Sequence, residues 1–445
     1  MDSSLILIIV LTFAFAATHL EERFLGQGTT LLASLEYLLI GVIVGPVALG
    51  FLDSERLDSL EPLLAVVTGF AGFLVGLPLR IRRRQRPKGT FRFAIVAGTL
   101  AAGIVFALAY AGLSAVGGDI FGGVRQFPLL VGAATLGLGA AITALEPLLS
   151  GIRANRADGP VSRLLPNVAE IIRVIAILGF GLTLASYRAD DQANIGSFGI
   201  VVWDAIAVGA GIGFGFIFHV FVGNEQDHKK LFVATIGVVA LASGTAHALG
   251  FSPLFVNLVA GATIANLSRA TPDLLVADNH LRRPVFVVLL LLAGASWTPI
   301  PAVFWLVPLA FVVIRPLALR LGARVAVHVT NTDVDTGTPR LGHGLLSQGA
   351  LVAAVAVNYQ MVVPATESAE NLLANVVMTT LLVSAVVNEL WASKLLRQLL
   401  LDAGEIGRAP DVSTDVSTEA TPDDSDDVSL TNVDYTPKAE PEVHA

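Results

Sequence analysis

Apolar runs long enough to cross a membrane recur along this chain, and they constrain its fold more than any other feature. A hydrocarbon layer is about 30 Å thick, so about 20 residues of α-helix span it. Inside it every backbone N–H and C=O must be satisfied by the chain itself, which leaves helices as the solution for runs of this length. Thirteen such helices are expected, near 4–20, 31–51, 60–80, 93–117, 126–150, 164–187, 198–222, 231–249, 253–267, 284–300, 301–326, 345–364 and 371–394. Hydrophobic residues make up 54% of the 445 and charged residues 14%, a balance that excludes an ordinary soluble domain. The first run, "LILIIVLTFAFAATHL", has neither a basic leader nor a clean small-residue cleavage site, so it reads as a retained helix rather than a signal peptide. The ninth is short, and "TPIP" splits the tenth from the eleventh with a tight turn. The chain has no cysteine, which excludes disulfides and thiolate metal sites.

Charge divides the chain into two parts. The net charge of −8 lies in the tail, because from Asp402 onward twelve acidic residues face only Arg408 and Lys438. The tail is rich in Ser, Thr, Asp and Pro and poor in large apolar residues, so it cannot bury enough surface to fold alone. The expected division is a transmembrane domain over 1–398 and an acidic, disordered, cytoplasmic tail over 399–445. With the N-terminus outside, the connections on the inner side carry 19 Lys and Arg and those on the outer side 3. Short basic loops stay cytoplasmic, so this alternation supports both the count and an integral plasma (inner) membrane protein with its C-terminus inside.

A few charges remain within the hydrocarbon region. In "NVAEIIRVIAILGF", Glu170 and Arg173 lie inside the sixth span, with Asn167 one turn before Glu170. Arg315 lies in the eleventh span; Glu36, Glu146 and Glu389 sit toward inner helix ends, and Asp204 toward the outer side of the seventh. A charge at the centre of a membrane helix costs roughly 2.5–3.5 kcal/mol on insertion scales, so such groups face a partner or water. At 1.5 Å per residue Glu170 is about 9 Å deep and Arg315 about 9 Å from the inner edge, so the two fall at similar depth. Arg173 also reaches Glu170, one turn along the same face. An ion or proton site at Glu170 and an ion pair that only fixes helix packing both account for these charges.

Several stretches resemble the monovalent cation:proton antiporter family, in its potassium-efflux and bacterial sodium–proton branch. "EYLLIGVIVGPVALGF" carries G-x-x-x-G-P and leads through an acidic linker to a helix with "FLVGL". "GFSPLFVNLVAGATIANL" and "LRRPVFVVLLLLAGASWTP" are similar to the family's ninth and tenth spans. The resemblance implies an all-α polytopic fold of about 13 transmembrane helices, built as inverted repeats with a core and a scaffold domain. In the core, two broken helices cross. It also implies a homodimer that exchanges a monovalent cation (sodium, potassium or lithium) for protons by alternating access. By the same resemblance Glu170, Thr143 in "GAAITALEPLLSG" and Gln348 in "GLLSQGALVAAVAV" are ion- or proton-binding candidates, with Arg315 as counter-ion; Asn167 and Arg173, beside Glu170 on the sixth span, are added to the binding candidates and the counter-ions.

Two departures from the family pattern bear on the site. The sixth span lacks the usual acidic pair: one register puts Ala169 and Glu170 there, and another makes Glu170 the partner of the eleventh-span arginine and leaves Val174 or Ile175 at the ion position. The twelfth span has Ser347, Gln348, Gly349 and Ala350 in place of P-R-G-E. The alternative is therefore a non-transporting membrane protein of the same fold, a sensor or structural partner whose site is locked by a Glu–Arg pair. The eight histidines do not cluster, and no HExxH, Walker or G-x-S-x-G arrangement occurs in a suitable context. Enzymatic activity, a cofactor, a metal site and nucleic-acid binding are not expected.

Overall fold

A computed structural model describes residues 30–79, 89–116, 126–191, 196–223, 225, 227–268, 271–330, 340–363 and 368–408. Its helices are α1 (Thr30–Val44), α2 (Ser54–Ser59), α3 (Glu61–Gly76), α4 (Thr90–Val116), α5 (Gln126–Ala141), α6 (Leu145–Ala154), α7 (Pro160–Asp191), α8 (Gly196–Val222), α9 (His228–Ala248), α10 (Pro253–Leu267), α11 (Thr271–Ala295), α12 (Leu306–Val329), α13 (Gly349–Val362) and α14 (Ser368–Asp402). Short 3-10 turns precede α12 and α13, at Ala302–Trp305 and Leu341–Leu345. No strand occurs among the described residues. Twelve of the thirteen expected spans fall on these helices, and the first, 4–20, lies outside the described residues. Helix α14 runs four residues past the expected boundary at 398, and the chain continues in described structure to Arg408. The tail beyond lies outside the described residues.

Among the described residues seven spans are long and apolar enough to cross a membrane, counting α5 and α6 as one; α3, α10 and α13 are shorter apolar helices. Along α12, Leu306, Leu309, Val313, Leu317 and Leu321 recur at three- and four-residue spacing and are all exposed. On α8, Val201, Ile212, Phe216 and Val220 are exposed too. Such apolar outer faces belong against lipid.

Local sequence sets the helix ends. Ser252 caps α10 by accepting from the Phe255 amide, with Pro253 at its first position, and Asp227 caps α9 by accepting from the Lys229 amide.

Packing sorts the helices into two groups. Helices α4, α5, α6, α7, α12, α13 and α14 form one, in which α4 lies against α5, α7 and α12, and α14 against α5, α12 and α13. Helices α1, α3, α8, α9, α10 and α11 form the other, in which α3 pairs with α10, α1 with α11, and α8 with α10. Small residues bring the second group together. A Cβ at Gly72 or Gly76 would overlap the carbonyl oxygens of Leu254 or Leu258, and one at Gly294 that of Leu38. In lipid, where burying apolar surface drives little association, such close backbone approach supplies the packing energy. The groups meet where α7 contacts α8 and α10, where α11 contacts α13, and through an Arg282–Glu146 salt bridge from α11 to α6.

Candidate functional site

Among the described residues two spans are interrupted in mid-course. Helix α5 stops at Ala141 and α6 starts at Leu145, so Ile142, Thr143 and Ala144 are non-helical. The 3-10 turn Leu341–Leu345 gives way at Leu346 to Gln348 before α13. The breaks cross and are tied to each other: the Ala144 amide donates to the Ser347 carbonyl (2.7 Å), and Thr143 Oγ1 to the Leu345 carbonyl (3.0 Å). Gly349 opens α13 at φ 57°, in the left-handed region, and a Cβ there would press on that of Ala144.

A break within a membrane helix frees carbonyls on one side and amides on the other, and non-helical backbone persists there only where protein groups satisfy it. Arg315, fully buried on α12, answers the carbonyls. Nε donates to Ala140 (2.8 Å), Nη1 to Leu346 (2.6 Å), and Nη2 to Ile142 (2.9 Å) and Leu345 (3.4 Å). Its positive charge thus rests on the negative ends of both interrupted segments. The amides are answered by Glu389 on α14, whose carboxylate accepts from the Gln348 and Gly349 backbone and, through both oxygens, from Ser347 Oγ (3.0 and 2.7 Å). Glu389 is 7% exposed and sits at the positive end of α13. It is the carboxylate whose charge acts on Arg315. Depth along the helices had set Arg315 opposite Glu170; its guanidinium spends its hydrogen bonds on four carbonyls instead.

Gln348 completes the crossing. Its Nε2 donates to the Gly139 carbonyl (3.2 Å), and its Oε1 accepts from Ser384 Oγ (2.6 Å) and Asn388 Nδ2 (3.3 Å). Thr143, Gln348 and Arg315 are therefore brought together, as neighbours of one crossing. Glu170 and Arg173 lie one turn apart on α7; both are buried and both are engaged with polar or charged partners. Asn167 turns back on its own helix and donates to the Arg163 carbonyl (2.8 Å). Sequence reasoning missed Ser384 and Asn388 and set Glu389 at the margin. The signal was present: Thr380, Ser384 and Asn388 recur every four residues along the thirteenth span.

Beside Glu389 a crevice of about 10 Å³, close to the room one water needs, is lined by Ser347, Glu389, His343, Leu148 and Ser393. His343 is half-buried near Arg320, Arg340 and Asp402, which place this crevice at the face bearing the basic connections. Burial, and then the two arginines, push its pKa down, with Asp402 acting against them. Among the described residues no group of His, Asp and Glu is arranged to hold a metal ion.

No family model matches the chain, and no curated protein matches it in sequence. Solved structures do match. The structure of the sodium proton antiporter MjNhaP1 from Methanocaldococcus jannaschii at pH 8 superimposes with a TM-score of 0.60 at 15% identity, covering 89% of this chain and 98% of that one. A second structure of the same antiporter, from electron microscopy, gives 0.53 at 14% identity, covering 90% and 99%. This near-complete overlap shows that the chain has the fold of that sodium proton antiporter.

Proposed function

We propose that the protein exchanges a monovalent cation, sodium, potassium or lithium, for protons across a membrane by alternating access. The observation that carries the reading is the crossing. Two interrupted helices meet in the buried interior, and Arg315 and Glu389 compensate the charge at their ends. Unwound backbone and half-helix ends are suited to binding and releasing an ion, and a fold with two helix groups supplies the parts that move against each other. The protein works in the plasma (inner) membrane as a homodimer, N-terminus outside and tail in the cytoplasm. Glu170 is the carboxylate to which the family resemblance points as carrier, with Arg173 beside it on α7, and Thr143, Gln348 and Asn167 as the accessory polar groups.

One observation favours a second reading, a non-transporting protein of the same fold: Thr143 and Gln348 already spend their hydrogen bonds on protein partners. Purified protein in liposomes with an internal pH dye decides between them. Pulses of sodium, lithium or potassium are expected to drive protons across the vesicle wall. Well-sealed vesicles that move no protons with any cation would sink the exchange reading and leave the locked site.

A further inference from the structure

Resting on the exchange reading, we propose that Glu389, not Glu170, is the group that carries the proton and surrenders it to the cation, in a site completed by Ser347 Oγ at the mouth of the crevice. A carrier must be a carboxylate, be held in the interior, and be reachable from one side. Glu389 is 7% exposed, borders the crevice, and joins the crossing directly through the Gln348 and Gly349 amides. The ligand class is a small monovalent cation with oxygen donors, which the Glu389 carboxylate and the Ser347 hydroxyl supply from α14 and from the break before α13.

The exchange balances with nothing added. Protonated Glu389 loses its proton to a crevice water as the cation binds the resulting carboxylate, so one H⁺ leaves for each M⁺ taken up. Release of the cation on the other side lets the carboxylate take a proton from water there. The Ser347 hydroxyl continues to donate to the carboxylate while its oxygen faces the ion. Arg315 remains charged on the helix-end carbonyls throughout, so the cation does not have to displace it.

The charges facing Glu389 can be named element by element. Helix α12 contributes Arg315. The 3-10 turn contributes His343, with Arg320, Arg340 and Asp402 behind it. Helix α6 lines the crevice with Pro147 and Leu148, while its Glu146 pairs with Arg282. On α14 itself the neighbours in the crevice, Ala392, Ser393 and Leu396, are uncharged. By contrast Glu170 has a permanent cation, Arg173, one turn along its own helix.

Wild type, Glu389→Gln, Glu389→Asp and Glu170→Gln are compared in the liposome assay. Infrared difference spectra of the same proteins are recorded on acidification and on adding sodium or lithium. Glu389→Gln is expected to cut exchange at least about tenfold, the scale of a lost proton-transfer group, and by more than Glu170→Gln does. Glu389→Asp is expected to keep residual exchange with a displaced pH profile, which a purely structural role would not produce. A protonated-carboxyl band is expected to grow on acidification, shrink with cation, and be missing from Glu389→Gln. Unchanged exchange and pH profile in both Glu389 variants, with the band intact, would overturn the assignment. If wild type exchanges nothing, the exchange reading fails by itself, and the infrared band then decides Glu389: a cation-sensitive band keeps it as a proton and cation site, and no such band removes it.

Discussion

The two helix groups meet the same problem, assembly in lipid, with interiors that differ in charge. Every buried charged side chain among the described residues lies in the first group or the segment that follows it: Glu170, Arg173, Arg315, Glu370, Glu389 and Glu405. The buried polar groups of α3, α9 and α10 are neutral, such as Thr68, Ser243 and Asn257, and its helices approach through glycine against carbonyl oxygen. Both groups bring backbones close at glycine, at Gly137 and Gly322 in the first as at Gly72 and Gly76 in the second, but among the described residues the first also buries charge, around its broken helices. The difference suits the first to hold an ion and the second to form a rigid partner, and it can be broken or sharpened by substitution.

The largest effect is expected at Arg315. Removing it strips four helix-end carbonyls of their donor and leaves Glu389 buried without its counter-charge. Leaving a buried hydrogen-bonding group without its partner costs about 1–3 kcal/mol, so with four carbonyls stripped Arg315→Met is expected to lower the thermal midpoint in detergent sharply. Arg315→Lys should recover only part, because one ammonium cannot match the fork that reaches both segments. If Arg315→Met unfolds at the wild-type temperature, the charged interior of the first group is not what holds the broken helices together.

The second group should fail by overlap instead. Gly72→Ala or Gly76→Ala sets a methyl against the backbone oxygen of Leu254 or Leu258, which no rotamer relieves. Overpacking of this kind costs about 1–3 kcal/mol. Gly237→Ala on α9, where a Cβ meets nothing within 4 Å, should be neutral or stabilise by up to about 1 kcal/mol. Equal effects at both kinds of position would remove the glycine contacts as the basis of that group.

What the sequence made legible follows from which forces are local. Apolar runs place helices because length and hydropathy act residue by residue, whereas broken helices were expected only from the family resemblance. The partner of Arg315 was not legible, since depth along two straight helices cannot show that a broken helix exposes carbonyls at that depth. Glu389 was undervalued because α14 was expected to end at 394 and runs to Asp402, eight residues further, or about 12 Å of helix. Nor could the docking of the segment after α14 be read: Glu405 is buried and accepts from the Val161 and Ser162 amides (2.7 and 2.8 Å) across more than 240 positions of chain.

That contact gives a mid-sized effect and extends the comparison to the edge of the first group. Glu405 caps the start of α7, where its charge meets two free amides and the positive helix end. Glu405→Gln keeps the shape and loses the charge, which should cost about 1–2 kcal/mol of thermal stability in detergent. Deleting the chain after Arg408 should cost little by the same measure, because the contact lies before it. The reverse ranking would put the stabilising contact in the acidic tail rather than at Glu405.

The smallest effect is expected from His343, and it depends on pH. Its pKa lies below the ordinary histidine value of about 6.5, first because it is half-buried and then because Arg320 and Arg340 disfavour a third positive charge. A group held below its unfolded pKa contributes stability in full above that value and loses it as pH falls toward the folded one. The thermal midpoint of the wild type should therefore drop between about pH 7 and about pH 5 by more than that of His343→Gln. Asp402→Asn removes the one charge that favours the protonated ring, so it should enlarge the drop, and the two substitutions together should behave like His343→Gln alone. A charge gained at His343 also lands in the crevice that leads to Glu389, on the face where a cation would enter. If the acid sensitivity of the wild type persists in His343→Gln, it arises from the buried carboxylates of the first group, and the crevice histidine plays no part in it.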